Sequence, residues 1–353
     1  MTTRALIVLV CLGFFFRQIF GQLKVEEDAG VGVGDSVGVV AGVGAYFIHK
    51  TVIIPHDQKK HRGGEDAAAA SDTVLVVADG VGGWARQNIN PGLYSKLLTE
   101  TIIELAPKNQ SLKDLVHEAN WIAASKHLGS ATCTALKITG NSTISTLNVG
   151  DSGYSIHRVR GATRGSDSDI KEEPSIDLVY ASTAGQKRFN YPHQLGGPRG
   201  DAVADVGQEN SHEFQHGDII IVYSDGVTDN LFPHEFHSCI SAYLRDDGQD
   251  EQLFLFTSYS LVADCIARTA YELGKDKTID SPFAKGARQS GMNYRGGKHD
   301  DISVIVAQTF TGVKVAREDD DDSHYSEAVY LYTGPVPPLS DLPKPVKLDH
   351  TEL

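Results

Sequence analysis

Acidic side chains recur in this sequence where an apolar run begins or ends. The run TVLVVA leads into Asp79 and the run IIIVYS leads into Asp225, and a glycine follows each acid. Five such edges carry the acids Glu65, Asp66, Asp79, Asp151, Asp225, Asp229, Asp300 and Asp301. A single aspartate at a strand end usually caps a turn. Acids at five edges of one domain favour a shared site instead.

Carboxylates that converge repel one another, so such a site requires cations. Oxygen ligands without a His or Cys cluster are typical of Mg²⁺ or Mn²⁺ and not of zinc. Two such ions about 4 Å apart can lower the pKa of a water molecule and hold a phosphoryl group. A glycine beside the acid also lets a backbone carbonyl join the coordination shell. The pattern therefore predicts a two-cation site that acts on phosphate.

The elements that must position these acids are a mixture of strands and helices. Apolar runs and alternation predict strands over Thr73–Ala78, Ile144–Val149, Tyr154–Arg158, Asp218–Tyr223 and Ile302–Ala307. Helical periodicity predicts helices over Leu93–Leu105, Ser111–His127, Glu251–Leu273 and Pro282–Gln289. Each acid of the predicted site then lies at a strand end or in a short turn, where the sheet would fix its position.

Composition narrows the classes of partner. The 353 residues carry a formal net charge of −14, which argues against binding nucleic acid through its phosphates. The four cysteines are Cys11, Cys133, Cys239 and Cys265. None forms a C-x-x-C pair, so we expect buried free thiols and no disulfide framework.

The two ends of the chain differ from its middle. Residues 1–22 hold the apolar run ALIVLVCLGFFF, which is short for a membrane span and fits a signal, targeting or anchor segment. Residues 23–44 are Gly/Val-rich and predict a linker or an edge strand. Residues 45–310 form the expected globular domain, and residues 311–353 an acidic, Pro-rich tail that we expect to be disordered. Any membrane contact is expected only through an uncleaved N-terminal segment.

Three other patterns suggest different chemistry. The run GVGGWA, with Glu100 20 residues beyond its first glycine, matches a dinucleotide-binding fingerprint, but Asp79 and Pro91 do not suit one. Cys239 and Arg245 have the C-x₅-R spacing of cysteine phosphatases, but the intervening ISAYL lacks glycine and predicts an amphipathic helix. The run GDSGY around Ser152 is similar to a serine-protease nucleophile.

The motifs ADGVGGW, NVGDSG, SDGVTDN and HDDISVI, in this order and spacing, resemble the metal-dependent type 2C protein serine/threonine phosphatases. The runs GGEDA, FNYPHQL, SPFAKGA and YRGGKHDD are similar to the branch that has many mitochondrial and plastid members. The resemblance covers about residues 45–310. It implies an α+β fold, a four-layer α-β-β-α sandwich of two antiparallel sheets flanked by helices.

The same resemblance implies a ligand set for two Mg²⁺ or Mn²⁺ ions and possibly a third. Glu65 and Asp66 would hold the second metal. Asp79 would bridge both metals, and Gly80 would offer its carbonyl oxygen. Asp225 and Asp300 would hold the first metal. A weaker third site would use Asp151, Asp225 and Asp229.

Two departures from the family pattern bear on catalysis. Val81 stands where many members carry a histidine that protonates the leaving group, so a metal-bound water would serve instead. Arg62 is near the expected phosphate-binding arginine but not at an identical spacing. The resemblance implies that Asp79 and Asp225 orient the bridging water, which attacks the phosphorus of phosphoserine or phosphothreonine in proteins. We expect the chain to be a monomer. A non-catalytic, phosphatase-like binding module is the alternative.

The branch implies an organelle, with the mitochondrion favoured, whereas the apolar N-terminal run fits secretory entry.

Overall fold

The computed structural model describes residues 43–108, 110–161, 174–246, 253–313 and 330–331. The expected N-terminal segment 1–22, most of the linker 23–44 and most of the tail 311–353 lie outside these residues. So does most of the polar loop between residues 161 and 175. The first strand begins at Val43, two residues before the expected domain start. Within the described ranges, no helix is long and apolar enough to cross a membrane.

Fifteen strands carry the framework of the described residues. They are β1 (Val43–Ile54), β2 (Ala67–Ala70), β3 (Val74–Ala78), β4 (Cys133–Ile138), β5 (Thr143–Val149), β6 (Gly153–Arg160), β7 (Ser175–Ala181), β8 (Gln186–Arg188), β9 (Tyr191–Pro192), β10 (Gln208–Glu213), β11 (Ile219–Tyr223), β12 (Leu244–Asp246), β13 (Phe254–Phe256), β14 (Ile302–Val313) and β15 (Tyr330–Leu331). One sheet has the order β15-β1-β14-β11-β6-β7 and the other the order β10-β5-β4-β3-β2. Neighbours in both sheets are antiparallel, except that β15 runs parallel to β1.

Seven helices accompany the strands. They are α1 (Gly92–Leu105), α2 (Leu112–Lys126), α3 (Val203–Val206), α4 (Asp225–Thr228), α5 (His237–Ser241), α6 (Tyr259–Lys275) and α7 (Pro282–Gln289). Short 3₁₀ turns cover Lys60–Arg62, Gly82–Gln87 and Pro233–Phe236. All these bounds refer to the described part of the chain.

Alternate residues of the central strands enter different cores. In β3, Val74 and Val76 pack with the helices α1 and α2, while Leu75 and Val77 face the other sheet. In β11, odd-numbered residues such as Ile221 pack with α6, and even-numbered residues face β3 and its neighbours. Burial on both faces explains why these strands read as unbroken apolar runs. The result is helix, sheet, sheet and helix in four layers, which confirms the expected α-β-β-α sandwich.

Three of the four predicted helices are confirmed within a residue or two. Ser111 and Ser281 start two of them, because each side chain accepts a hydrogen bond from the backbone N–H three residues later. The prediction of a helix over Glu251–Leu273 is wrong at its start. Residues Phe254–Phe256 pair with β12 as a strand, and Ser258 caps α6 by accepting from the N–H of Leu261.

The cysteine prediction is wrong for one pair. Cys239 on α5 and Cys265 on α6 form a disulfide, with their Cα atoms 5.8 Å apart. These helices pack in the same apolar core, which brings together two residues that no local spacing connects. Cys133 is a buried free thiol, as expected, and Cys11 lies outside the described residues.

Candidate metal centre

Three carboxylates converge where strands of both sheets end. Asp79 follows β3 of one sheet, and Asp225 follows β11 of the other. Asp151 lies in the turn from β5 to β6, where the chain passes between the sheets. One carboxylate oxygen from each of the three lies within 4.8 Å of the other two. The antiparallel sandwich therefore unites acids that are separated by more than seventy residues.

The sheet backbone fixes Asp79. Its N–H donates to Thr132 Oγ1 at 3.0 Å, and the N–H of Thr132 donates to the Asp79 carbonyl oxygen at 2.9 Å. The hydroxyl of Ser152 shares a hydrogen bond of 2.6 Å with Thr132 Oγ1 and is almost fully buried. Ser152 thus supports Asp79, and this use does not fit the protease hypothesis.

Glu65 and Asp66 lie immediately before β2 and are both buried. The N–H of Gly80 donates to the Glu65 carbonyl oxygen at 3.1 Å. A Cβ on residue 80 would collide with that oxygen and lie 2.7 Å from Ser95 Oγ. Only glycine lets the chain after Asp79 pass this close to the acidic pair.

Asp225, Asp229 and Asp300 share a cation that the sequence reading missed. The ammonium group of Lys298 lies 2.6 Å from Asp225 Oδ2, 2.6 Å from Asp229 Oδ2 and 3.4 Å from Asp300 Oδ2. Burial alone would lower the pKa of Lys298, but these three carboxylates raise it well above its ordinary value. Lys298 is therefore a charged ammonium inside the predicted ligand set.

Asp301 organises the loop that carries the first acidic pair. This buried carboxylate accepts from the N–H of His56 at 2.7 Å, from the N–H of Glu65 at 3.2 Å and from Lys59 Nζ at 2.7 Å. Lys59 also lies 2.6 Å from Glu65 Oε2 and 3.4 Å from Asp300 Oδ1. Asp301 is therefore a structural neighbour of the ligand set, and it places Lys59 beside that set.

Arg62 reaches the same acidic pair. Its Nη2 donates to Glu65 Oε1 at 2.6 Å, while its buried Nε has no hydrogen-bond partner in the described part of the chain. The guanidinium thus touches the site and keeps a donor for another acceptor.

Comparison with known proteins agrees with this geometry. No protein-family model matches the chain. An Arabidopsis thaliana protein named "Probable protein phosphatase 2C 80" is 32% identical over 259 residues, which are 72% of this chain and 56% of that protein. The human "Protein phosphatase PTC7 homolog" is 30% identical over 312 residues, which are 82% of this chain and 94% of that protein. The chain belongs to the protein phosphatase 2C family.

The chain spans only about half the length of three plant relatives that it matches. Among solved structures, that of the photosystem II phosphatase PBCP has a TM-score of 0.60 and 28% identity, covering 74% of this chain and 98% of that one. This likeness supports the α+β fold of the family.

Burial and mutual repulsion raise the pKa values of three acids in this phosphatase-family site. Burial, together with the charges of Asp225 and Asp66, raises the pKa of Asp79 well above its ordinary value. Burial and Asp301 raise the pKa of Asp66 to about 8, and burial and Asp225 raise that of Asp151 to about 7. A bound cation would relieve this repulsion and lower these pKa values.

The residues present fit hard divalent cations. Four carboxylate oxygens are buried and have no hydrogen-bond partner among the described residues: both of Asp66, Oδ1 of Asp151 and Oδ1 of Asp225. Buried carboxylate oxygens of this kind are costly unless a cation binds them. The set contains only oxygen ligands, which suits Mg²⁺ or Mn²⁺.

The structure brings the sequence-predicted acids into one region, but it divides them by their partners. Asp79, Asp151 and Asp225 meet directly. Asp229 and Asp300 join through Lys298, and Glu65 through Lys59 and Arg62. Gln186, which no motif indicated, donates to Asp151 Oδ2 at 2.8 Å. Lys298 is the first residue of the motif KHDD, but the sequence does not show which acids its ammonium group contacts.

The structure contradicts the dinucleotide-binding and cysteine-phosphatase hypotheses. The segment Gly82–Gln87 is a 3₁₀ turn and β3 belongs to an antiparallel sheet, so the parallel unit of a dinucleotide site is absent from this described segment. The expected helix between Cys239 and Arg245 is wrong, because α5 ends at Ser241 and Arg245 lies in β12. The disulfide also occupies the sulfur of Cys239.

Proposed function

We propose that this chain is a metal-dependent protein serine/threonine phosphatase that uses two Mg²⁺ or Mn²⁺ ions. The convergence of oxygens from Asp79, Asp151 and Asp225 carries the proposal. The unpartnered, buried oxygens of Asp66 support it, because they require a cation. An intact ligand set favours an enzyme over the alternative, a phosphatase-like binding module.

In this proposal, each acid has a separate task. Asp79 would hold both ions, Glu65, Asp66 and the Gly80 carbonyl oxygen would hold one of them, and Asp225 and Asp300 would hold the other. When bound, the ions supply a water of lowered pKa and positive charge for the phosphoryl oxygens. Asp79 and Asp225 would orient that water for attack on the phosphorus of phosphoserine or phosphothreonine, and the ester bond to the side-chain oxygen would break as the new bond forms. The leaving oxygen would take up a proton from water, because Val81 has none to donate.

We further propose that Arg62 binds the phosphoryl group. Its unpartnered Nε lies beside the acidic pair, and an anionic oxygen would satisfy that donor. Lys59 adds a second positive charge on the same loop, 2.6 Å from Glu65. Both cations would balance the charge of the substrate as it enters.

Activity on a phosphothreonine peptide tests the reaction. The purified chain should release phosphate with Mn²⁺ or Mg²⁺ and stop with EDTA. Arg62→Gln should raise KM about tenfold, on the scale of one lost charge-assisted hydrogen bond. Arg245→Gln is the matched control. Arg245 is exposed in the middle of β12, so the substitution should change neither kcat nor KM.

The binding module would give a different result in the same experiment. It would bind the phosphothreonine peptide and leave it intact at every Mn²⁺ concentration. Peptide binding by fluorescence anisotropy, measured beside phosphate release, separates the two functions.

For localisation, we propose an organelle, with the mitochondrion as the first expectation and the secretory pathway as its alternative. The Cys239–Cys265 disulfide favours an oxidising compartment, which supports the secretory alternative. The tripeptide Asn141-Ser142-Thr143 has the N-x-T pattern, with Asn141 exposed in the turn before β5, and would accept a glycan in that compartment. Imaging of the tagged full chain decides the compartment. A glycosidase-sensitive mobility shift that Asn141→Gln removes would establish secretory entry.

We also propose that the chain is a monomer. Analytical sedimentation of the full chain tests this proposal.

A further inference from the structure

Lys298 has a place in this site that no ligand role accounts for. Its ammonium lies 2.6 Å from one oxygen of Asp225 and 2.6 Å from one oxygen of Asp229. The family resemblance implies these two acids, with Asp151, as ligands of a weaker third metal. An ammonium and a metal ion therefore compete for the same pair of oxygens.

The lysine is held there by its backbone. Its N–H donates to Asn230 Oδ1 at 2.9 Å, and its carbonyl oxygen accepts from Asn230 Nδ2 at 2.8 Å. The same Nδ2 donates to the carbonyl oxygen of Gly226, one residue after Asp225. The ring of Phe283 lies with its centroid 5.3 Å from the ammonium. Lys298 is thus a fixed part of the site and not a mobile surface side chain.

The ammonium occupies the position where a cation would bridge these two oxygens. A bound Mg²⁺ or Ca²⁺ lies about 2.0 to 2.6 Å from its oxygen ligands. The Lys298 nitrogen already lies 2.6 Å from both Oδ2 atoms, so an ion bridging them would meet its positive charge at short range. Within the described ranges, Oδ1 of Asp225 has no hydrogen-bond partner, so it stays available to the central pair. The two oxygens of Asp225 therefore serve different cations.

Asp151, the remaining outer acid, is also engaged by a side chain. Gln186 donates to its Oδ2 at 2.8 Å, and its unpartnered Oδ1 belongs to the group with Asp79 and Asp225. We propose that the Lys298 ammonium is a built-in cation that takes the place of a third metal ion between Asp225 and Asp229. Lys298 is then a positioning residue that orients Asp225 toward the central pair. This inference rests on the proposed two-metal function.

The test counts the bound Mn²⁺ ions. Equilibrium dialysis of the full chain against millimolar Mn²⁺, with metal analysis, should find two ions per wild-type chain. Lys298→Met should bind three, and the third should be lost again when Asp229→Asn is added. Lys96→Met is the matched control, since Lys96 is exposed on α1 and should leave the count at two.

Asp229→Asn alone keeps the test decisive if Lys298→Met fails to fold. It should still bind two ions, because Asp229 pairs with the ammonium and not with a metal. Three ions on the wild type, reduced to two by Asp229→Asn, would overturn the inference. So would a folded Lys298→Met that still binds only two. A wild-type chain that binds no Mn²⁺ would overturn the proposed function and this inference together.

Discussion

Replacing Asp79 by asparagine should stabilise the metal-free chain and at the same time weaken Mn²⁺ binding and catalysis. Asparagine keeps the shape and the hydrogen bonds of the backbone with Thr132. It removes a charge that burial and the neighbouring Asp225 and Asp66 make unfavourable. Opposite effects on stability and on metal binding distinguish a metal ligand from a residue that only supports the fold.

The distances set the size of the effect. Two like charges 4.8 Å apart repel by about 3 kcal/mol at an effective dielectric constant of 20. Raised pKa values leave part of the site protonated at pH 8, so about 1 to 2 kcal/mol of this repulsion should disappear in the variant. That corresponds to a melting temperature about 2 to 8 °C higher in a domain of this size. Turnover should fall about a thousandfold, which is about 4 kcal/mol of transition-state stabilisation.

Thermal unfolding in EDTA and in Mn²⁺ measures both effects. Mn²⁺ at a hundred times its Kd should stabilise the wild type by about 2.7 kcal/mol. A hundredfold weaker variant should gain only about 0.4 kcal/mol at the same concentration. Circular dichroism confirms the fold, and phosphopeptide kinetics at saturating Mn²⁺ give the turnover.

Asp205→Asn is the control, because Asp205 is exposed on α3 and is not one of the acids of the site. It should leave melting temperature, Mn²⁺ response and turnover unchanged. The reasoning is refuted if a folded Asp79→Asn melts lower than the wild type in EDTA. It is refuted equally if the variant keeps more than about a tenth of the turnover.

Three further perturbations follow from the structure. Gly226→Ala would push a Cβ into the carbonyl oxygen of Asp301, so the turn after β11 must shift by about 1 Å. Turnover should then fall about a hundredfold. Gly140→Ala is the control, because the nearest atom to its new Cβ would be 3.7 Å away, and turnover in the same assay should not change. Replacing both Cys239 and Cys265 by alanine opens a loop with a sequence separation of 26. The free energy of unfolding, measured in urea, should fall by about 3.5 kcal/mol. Mn²⁺-dependent turnover should persist, whereas a cysteine phosphatase would lose its activity. Since Asp66 has its pKa raised to about 8, the folded metal-free chain keeps a proton that the unfolded chain loses near pH 4. Its free energy of unfolding should fall between about pH 4 and pH 8, and melting curves that are flat or rise over this range would contradict the assignment.

Local patterns in the sequence predicted the central elements of the fold. Apolar runs gave the strands β3, β5, β6, β11 and the first half of β14, since both faces of these strands are buried. Apolar periodicity gave α1, α2 and α7. The strand β2, with the sequence AAAA, has little strand propensity of its own and forms because it pairs with β3. Likewise, β1 is a strand because β14 pairs with it along its whole length.

The sequence by itself determined that acids stand at strand ends and that glycines follow two of them, because these features depend only on neighbours in the chain. The tertiary structure decided which charges meet. Lys298 lies 73 residues from Asp225, and Gln186 lies 35 residues from Asp151, so no local rule relates them. The disulfide between α5 and α6 was decided in the same way, since packing of the two helices against one core brings the sulfurs together. Contacts of this kind depend on how the sheets and helices pack, and side-chain spacing along the chain carries no information about them.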